Sequence, residues 1–251
     1  MKMHVLIFFF TSIFYTPFFA SQNQPITENI KYEKNTITLD YCAPSWDSLL
    51  KKYVSATGKV DYKGFKKDID ALNTYVSSLS DNPPTESTSK TERMVYWINA
   101  YNAVTVQLIA SNYPLSSITK LDAGKTWDVK RFRNGDKKMS LNDIENTILR
   151  PLNDPRIHFA LNCAAKSCPP LLNQAFTVDN LETLLEERTK SFINTPSRTT
   201  LSKTDIKVSK IFDWYGKDFG NIINFINKYA NTKVLKTANM TYLEYDWSLN
   251  E

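Results

Sequence analysis

Apolar residues recur at helical spacing in the first part of the chain beyond residue 42. Over residues 46–53 and 62–79 they lie three or four positions apart, which predicts two amphipathic helices. The turn between them carries Gly58, a residue suited to a helix C-cap. Residues 78–90 are polar and rich in proline, serine and threonine, and they predict a linker.

The segment TERMVYWINAYNAVTVQLIASNYP, residues 91–114, predicts the strongest helix of the chain. Apolar residues occupy almost every face of this helix, so we expect it to be buried at the centre of the fold. Asn99 and Asn102 share one face because they lie three positions apart, and Tyr96 and Ala103 extend that face. A buried amide needs hydrogen-bond partners. The two asparagines therefore either brace neighbouring loops through the backbone or line a polar pocket.

Shorter elements follow this helix. Asn134-Gly135, between residues 127–133 and 137–139, predicts a tight hairpin turn. Ser140 with Asp143 resembles a capping box that begins a short helix through Leu149. The remaining predicted elements are a buried strand over residues 156–161, a helix over 177–192, a polar hairpin over 198–209, a helix beginning near Asp218 and a C-terminal strand over 241–250.

This order of elements predicts the fold class. Helices alternate with short antiparallel hairpins, and the chain lacks the β–α–β rhythm of a parallel sheet. We therefore expect an α+β fold in which helices pack with short antiparallel strands and hairpins, as a single domain over residues 43–251.

The first twenty residues have the layout of a secretory signal peptide. Lys2 precedes an apolar run over residues 5–15, and Ala20 precedes polar residues. The run is shorter than the roughly 20 residues of a membrane span. The sequence therefore predicts a signal peptide over residues 1–20, an N-terminal extension over residues 21–42, and an exported protein that is periplasmic or secreted. An uncleaved N-terminal anchor is the alternative.

The composition limits the kinds of partner that we expect the protein to bind. The chain has 251 residues, of which 42% are hydrophobic. A chain of this length can bury a hydrophobic core without needing disulfide bonds or bound metals for stability. The net charge is +5, but basic residues are locally dense only over residues 130–138. A mixed-charge hairpin is not the coherent basic face that nucleic-acid binding needs. We expect an unknown small molecule or peptide as partner, no nucleic acid, and membrane contact only through an uncleaved signal segment.

The candidate chemistry lies in HFALNCAAKSCPP, residues 158–170, which holds two of the three cysteines and the single histidine outside the first twenty residues. Along an extended strand, His158 and Cys163 would lie about 16 Å apart. Cys168 is the better partner for His158, because its loop can fold back toward the strand. A thiol at the start of a proline-led helical turn also has a lowered pKa.

Two other interpretations of this segment stay open. An oxidising compartment favours a Cys163–Cys168 disulfide, with Cys42 left free, although the spacing also allows Cys42 to pair with either. His158, Cys163 and Cys168 have spacings found in zinc sites, but they are one ligand short of a closed site. We expect no cofactor and no metal.

Several stretches together resemble the domain of unknown function 547 family, which occurs in exported bacterial proteins and in plant proteins. They are VDYKGF, YWINAYNAVTV, SLNDIENTILR, DPRIHFALNCAAKSCPPL and IFDWYGKDFG, and the resemblance runs over about residues 46–230. It implies no established activity. The signature positions of the family in this sequence include Asn99, Asn102, Glu145, Arg150, His158, Cys163, Ser167, Cys168, Trp214, Tyr215 and Asp218.

The residues singled out by their chemistry and by the resemblance overlap. They predict a cleft where the helix with Asn99 and Asn102 meets the His158 strand and the cysteine loop, with Glu145 orienting either His158 or Arg150. The candidate catalytic residues are Cys168, His158 and Glu145, and the candidate binding residues are Asn99, Asn102, Tyr96, Cys163 and Ser167.

Two functions fit this cleft. The favoured one is a binding or scaffold module of the cell envelope with a Cys163–Cys168 disulfide. The alternative is a thiol-dependent hydrolase or transferase that acts on a peptide or amide substrate. In the alternative, Cys168 is the nucleophile and Cys163 the second choice, His158 is the base, and Asn99 or Asn102 binds substrate or orients the histidine.

Overall fold

A computed structural model describes residues 43–251 of the chain, with side chains placed from Trp46 onward. These residues form a single α+β domain, as the sequence predicts, with helices packed against two small sheets. The predicted signal peptide, the extension over residues 21–42 and Cys42 lie outside the described residues. Within the described part, no helix is both long and apolar enough to cross a membrane.

Long helices come first along the chain and shorter elements follow. The α-helices are α1 (Ala43–Tyr53), α2 (Tyr62–Lys67), α3 (Ile69–Asp81), α4 (Lys90–Asn112), α5 (Leu141–Asp143), α6 (Leu181–Asn194), α7 (Ile211–Trp214), α8 (Gly216–Phe219) and α9 (Ile222–Tyr229). The strands are β1 (Phe132–Asn134), β2 (Lys137–Met139), β3 (Thr199–Leu201), β4 (Asp205–Val208) and β5 (Asn239–Tyr242).

Helix α4 is the buried central helix that its sequence predicts. It begins with a capping box, in which the Ser89 hydroxyl accepts from the Glu92 N–H at 3.2 Å and the Glu92 carboxylate accepts from the Ser89 N–H at 2.9 Å. From Met94 to Ala110 almost every side chain is buried. The predicted linker is shorter than expected, since α3 extends to Asp81.

Within the part of the chain that the structure describes, two apolar clusters make up the core. The larger contains the buried faces of α1 to α4 and also includes Ile157. The smaller gathers aromatic side chains that include Phe159, Phe212 and Phe225. Ile157 and Phe159 flank His158 in sequence, so this histidine is anchored on both sides where the two clusters adjoin.

The strand predicted for residues 156–161 is wrong. Pro155–Phe159 forms a 3₁₀ helix instead. The Asp154 carboxylate caps it by accepting from the Arg156 N–H at 3.0 Å. Pro155 occupies the first helical position, where a missing N–H is tolerated. The Asp-Pro pair is a helix-start signal that the apolar run concealed, and the separation of about 16 Å expected along a strand for His158 and Cys163 does not apply.

The predicted hairpins form, with one shift of register. In the β1–β2 hairpin Asn134 pairs with Lys137, so the turn residues are Gly135 and Asp136, one position later than predicted. Gly135 takes a φ of +57°, which suits glycine. The β3–β4 hairpin is antiparallel, as expected. Strand β5 adds to the free edge of β4 in parallel, which the sequence did not indicate.

Other boundaries also differ from the prediction. The helix expected over residues 62–79 is divided at Asp68 into α2 and α3, and the helix expected from residue 177 begins at Leu181. The capping box of Ser140 and Asp143 is confirmed, but a π-helical segment, Ile144–Leu149, follows α5.

Gly58 is not a helix C-cap, because α1 ends at Tyr53. It lies in the following turn with a φ of +81°, and its N–H donates to the Ser55 carbonyl at 2.9 Å. A Cβ at this position would lie 2.3 Å from the Pro170 Cβ. Glycine is therefore required both by the backbone angle and by the close approach of the segment that ends the cysteine loop.

Candidate functional site

The asparagines of α4 brace loops. The Asn99 side chain donates to the Phe176 carbonyl at 2.8 Å and accepts from the Phe176 N–H at 3.1 Å. The Asn102 side chain donates to the Ala160 carbonyl at 3.0 Å and accepts from the Asn162 N–H at 2.8 Å. Both amides are buried and both ends are used, so the bracing alternative fits these contacts and the pocket-lining alternative does not.

A third amide, that of Asn162, continues the bracing into the cysteine loop. The Asn162 side chain donates to the Pro169 carbonyl at 2.8 Å and accepts from the Ala164 N–H at 3.0 Å. Ala164 has a φ of +63°, a conformation in which non-glycine residues are uncommon. The loop is therefore bent sharply and fixed across its base by Asn162, a residue that sequence reasoning missed.

A cavity of about 280 Å³ opens beside this loop. His158, Glu145, Cys163 and Cys168 all line it, so the structure brings these four predicted residues together. The remaining lining is largely aromatic and includes Tyr101, Trp127, Trp214, Tyr215, Tyr245 and Trp247.

The other predicted binding residues do not line this cavity. Asn99 and Asn102 lie behind the loop that they brace. The Tyr96 hydroxyl donates to the Leu79 carbonyl at 2.6 Å inside the core. The Ser167 hydroxyl accepts from the Asp246 N–H at 2.9 Å and so holds the C-terminal segment. The predicted single cleft with the carboxamides in its wall is corrected accordingly.

His158 is held between two carboxyl groups. Its Nε2 lies 2.8 Å from Asp218 Oδ2, and its Nδ1 lies 3.7 Å from Glu145 Oε1. The ring stacks on Tyr215 with 4.1 Å between centroids. Asp218, not Glu145, is thus the carboxylate within hydrogen-bond distance of the imidazole, and Glu145 is the more distant of the two. Asp218 is a signature position of the resembled family, and this was the feature of the sequence that could have identified it as a site residue.

The ionisation of this pair follows from its surroundings. Arg150 binds Asp218 through Nε at 2.6 Å and Nη2 at 2.8 Å, and this contact, with His158, holds the pKa of the Asp218 carboxyl below its usual value. Burial lowers the pKa of His158 to about 4, against the opposing effect of Asp218. At neutral pH the imidazole is uncharged, Nε2 carries the proton toward Asp218, and Nδ1 keeps its lone pair.

Glu145 is positioned by the π-helical segment, a type of irregularity that is frequent at functional sites. Its side chain is buried, and burial raises the pKa of the carboxyl. Hydrogen bonds from Tyr215 and Tyr101 partly offset this effect. Burial therefore favours the protonated form of this carboxyl, which lies close to the unprotonated Nδ1 of His158.

The two sulfurs of the loop are free thiols, so the predicted Cys163–Cys168 disulfide is not present. The Cys163 N–H donates to Cys168 Sγ at 2.8 Å, and Cys163 Sγ lies 3.2 Å from the Tyr245 hydroxyl. Cys163 is partly exposed, whereas Cys168 is only 3% exposed. Zinc has no support either, since no group of three or more His, Cys, Asp or Glu within residues 43–251 is arranged to hold a metal ion.

The pKa values of the two thiols move in opposite directions. Burial raises the pKa of the Cys168 thiol, and its neighbour Cys163 adds to the effect. Burial acts on Cys163 too, but hydrogen bonds from Cys168, Tyr245 and the Ala165 N–H outweigh it and lower the pKa of the Cys163 thiol. Exposure and thiolate stabilisation therefore both favour Cys163 as the more reactive thiol, whereas the sequence favoured Cys168.

Comparison with known proteins gives one family. The family described as "Protein of unknown function, DUF547" matches residues 85–193, which include α4, Glu145, His158 and both loop cysteines. Asp218, Tyr245 and Trp247 lie beyond the matched segment. No curated protein and no solved structure matches the chain. This match over residues 85–193 supports the assignment to the DUF547 family that the motifs of the chain predict.

Proposed function

We propose that this protein is a thiol-dependent hydrolase or transferase that acts on an amide or peptide substrate, with Cys163 as the nucleophile. One observation carries the proposal. A partly exposed thiol with a lowered pKa shares a cavity with a neutral imidazole that an ionised aspartate orients. Nucleophile, base and orienting carboxylate are the parts that covalent acyl transfer requires.

Cys163 supplies the nucleophile because donors surround its sulfur. The Tyr245 hydroxyl, the Cys168 thiol and the Ala165 N–H all stabilise negative charge there. The thiolate adds to the carbonyl carbon of the substrate and forms a thioester. The amine that leaves needs a proton, and the Glu145 carboxyl, whose pKa burial raises, is placed in the same cavity to donate it.

His158 serves the second half of the reaction. Its Nδ1 accepts a proton from the water, or from the acceptor, that attacks the thioester, and Asp218 stabilises the imidazolium that forms. Nδ1 then returns this proton to Glu145, whose Oε1 lies 3.7 Å away. The cycle consumes one water per amide bond in the hydrolytic case and restores all three groups.

Labelling tests the nucleophile. The full chain is treated with iodoacetamide at neutral pH, and the modified cysteine is identified by peptide mass mapping, which also separates Cys42. We expect Cys163 to react without unfolding and Cys168 to react only after denaturation, because Cys168 is buried. Cys168→Ala is the matched variant. It should keep Cys163 reactive but slow its labelling, since one donor to the thiolate is lost.

Acylation tests the chemistry. With p-nitrophenyl acetate, we expect a burst of p-nitrophenol and an acetyl group on Cys163 by mass. In Asp218→Asn the burst should remain and the acetyl group should persist, because hydrolysis of the thioester loses its oriented base. Acetylation elsewhere, or an unreactive Cys163 in the folded wild-type chain, would refute the proposal.

The second candidate is a non-catalytic binding module of the cell envelope that takes a small molecule or peptide. Both α4 carboxamides act as braces, which is the arrangement we expect of a shaped binding cavity without chemistry. An inert Cys163 combined with saturable ligand binding would favour this candidate.

Export to the periplasm or the medium is a separate proposal, supported by the signal-peptide layout of residues 1–20. The mass of the chain recovered from cell fractions tests it. A mature form that begins after residue 20 is expected outside the cytoplasm, and an uncut chain confined to the cytoplasm would contradict it.

A further inference from the structure

One wall of the cavity is a continuous layer of aromatic rings. Trp247 lies at its centre, with its centroid 4.6 Å from that of Tyr245, 5.5 Å from Trp127 and 5.8 Å from Trp214. The planes of Trp214 and Trp247 are inclined by only 26°, and Trp214 is 46% exposed. The faces of such rings carry partial negative charge, and tryptophan carries the most favourable face for a cation.

The acidic residues of the lining are not matched by basic ones. Asp128 and Glu145 are both among the lining residues, and no lysine or arginine is among them. Asp128 accepts from the Asn142 side chain at 2.6 Å, a neutral partner that leaves its charge uncompensated. The nearby cation Arg150 is bound to Asp218 and does not line the cavity.

We propose that this cavity binds substrates through an organic cation, an alkylammonium group that rests on the Trp214–Trp247 face and is attracted by Asp128. Aromatic faces combined with unpaired carboxylates are the environment that recognises such groups. A volume of about 280 Å³ lies at the small end of ligand cavities and suits a group of amino-acid size. The inference that the substrate carries a cation rests on the proposed function. The inference that the cavity binds an organic cation does not depend on that function.

Glu145, which also lines the cavity, is compatible with a cationic ligand. Its carboxyl is buried without a cation inside the cavity, and burial raises its pKa. Neither the neutral nor the ionised form of this carboxyl would repel a bound ammonium group. An anionic ligand would be repelled by the Asp128 carboxylate.

Matched probes test the inference on the full chain. Choline and 3,3-dimethyl-1-butanol have the same shape and differ by the charge on one atom. Isothermal titration calorimetry should show choline bound at least tenfold more tightly than the alcohol. N-acetyl-lysine amide, a primary ammonium, serves as a second cation, and a preference for one of the two cations identifies the subclass.

Variants assign the binding to this wall. Trp214→Leu should weaken choline about tenfold, and Asp128→Asn should reduce the preference for choline over the alcohol about threefold. Leu235→Ala removes another exposed apolar side chain, 52% exposed, that does not line the cavity, and it should leave binding unchanged. Circular dichroism confirms that each variant is folded.

The outcomes separate the two proposals. Equal binding of choline and the alcohol, absence of binding by both cations, or choline binding that Trp214→Leu does not change would overturn the cation inference, even if Cys163 is acylated. Charge-dependent binding at the wall in a protein whose Cys163 is unreactive would support the cation site and refute the acyl-transfer function.

Discussion

Replacing Asn102 by alanine removes both ends of a buried brace. The Ala160 carbonyl loses its donor at 3.0 Å, and the Asn162 N–H loses its acceptor at 2.8 Å. A buried polar group left unpaired costs about 1–3 kcal/mol. Two such groups predict a loss of about 2–6 kcal/mol in the free energy of unfolding, against a total of about 5–15 kcal/mol for a typical protein.

Urea denaturation at equilibrium, followed by circular dichroism, measures this loss. Asn112→Ala is the matched control, because Asn112 lies exposed at the end of the same helix and donates only to the Leu108 carbonyl one turn earlier. Its effect should stay within about 0.5 kcal/mol. The midpoint of the Asn102→Ala transition should fall while its slope is unchanged.

A brace and a pocket-lining amide predict different results for Asn102→Ala. An amide that faced an open cavity would lose little stability on truncation, since water would replace its hydrogen bonds. A loss below about 1 kcal/mol, or one equal to that of the control, would refute the bracing argument and return Asn102 to the candidate binding residues.

Three further predictions concern ionisation and backbone strain. The imidazole of His158 should titrate by NMR with a midpoint near pH 4, and a midpoint above pH 6 would contradict its burial. The folded pKa lies below the unfolded value of about 6.5, so below that pH the unfolded chain binds a proton at His158 that the folded chain does not. The contribution of His158 to stability is therefore fully present above pH 6.5, and about 3 kcal/mol of it is lost as the pH falls from about 6.5 to about 4. Asp218→Asn should move the midpoint below 4, since Asp218 raises the pKa of His158, and an upward shift would be inconsistent with that contact. Gly58→Ala should lower the free energy of unfolding by about 2–6 kcal/mol, because of its positive φ and the contact with Pro170. Gly135→Ala has open space around it and should lower the free energy of unfolding by only about 1–2 kcal/mol. Equal losses for the two variants in urea denaturation would show that the contact with Pro170 is absent.

Local signals explain what could be predicted from the sequence. An all-round apolar pattern predicts a buried helix over 91–114, and α4 spans Lys90–Asn112. The capping box at Ser140 is equally local and is found. The strand predicted over 156–161 failed because an apolar run fits a strand and a buried helical turn alike, and only the Asp154-Pro155 pair distinguished them.

The partners in the cavity could not be predicted in the same way. His158 and Asp218 are 60 residues apart in the chain, and Cys163 and Tyr245 are 82 apart. No periodicity links such positions, since they meet only when the two apolar clusters pack. The resemblance marked Asp218 as a signature position, but it did not indicate that Asp218, and not Glu145, binds the imidazole. Tyr245 carried no signal at all.

Two buried amides of the motif fix the shape of the cysteine loop. Asn102 holds the entry of the loop, and Asn162 ties that entry to Pro169 at its exit. The amides thus fix where Cys163 lies relative to His158 without touching the cavity. Substitutions at the asparagines should therefore change the rate of acylation and stability together, whereas Cys163→Ser should abolish acylation and leave stability nearly unchanged.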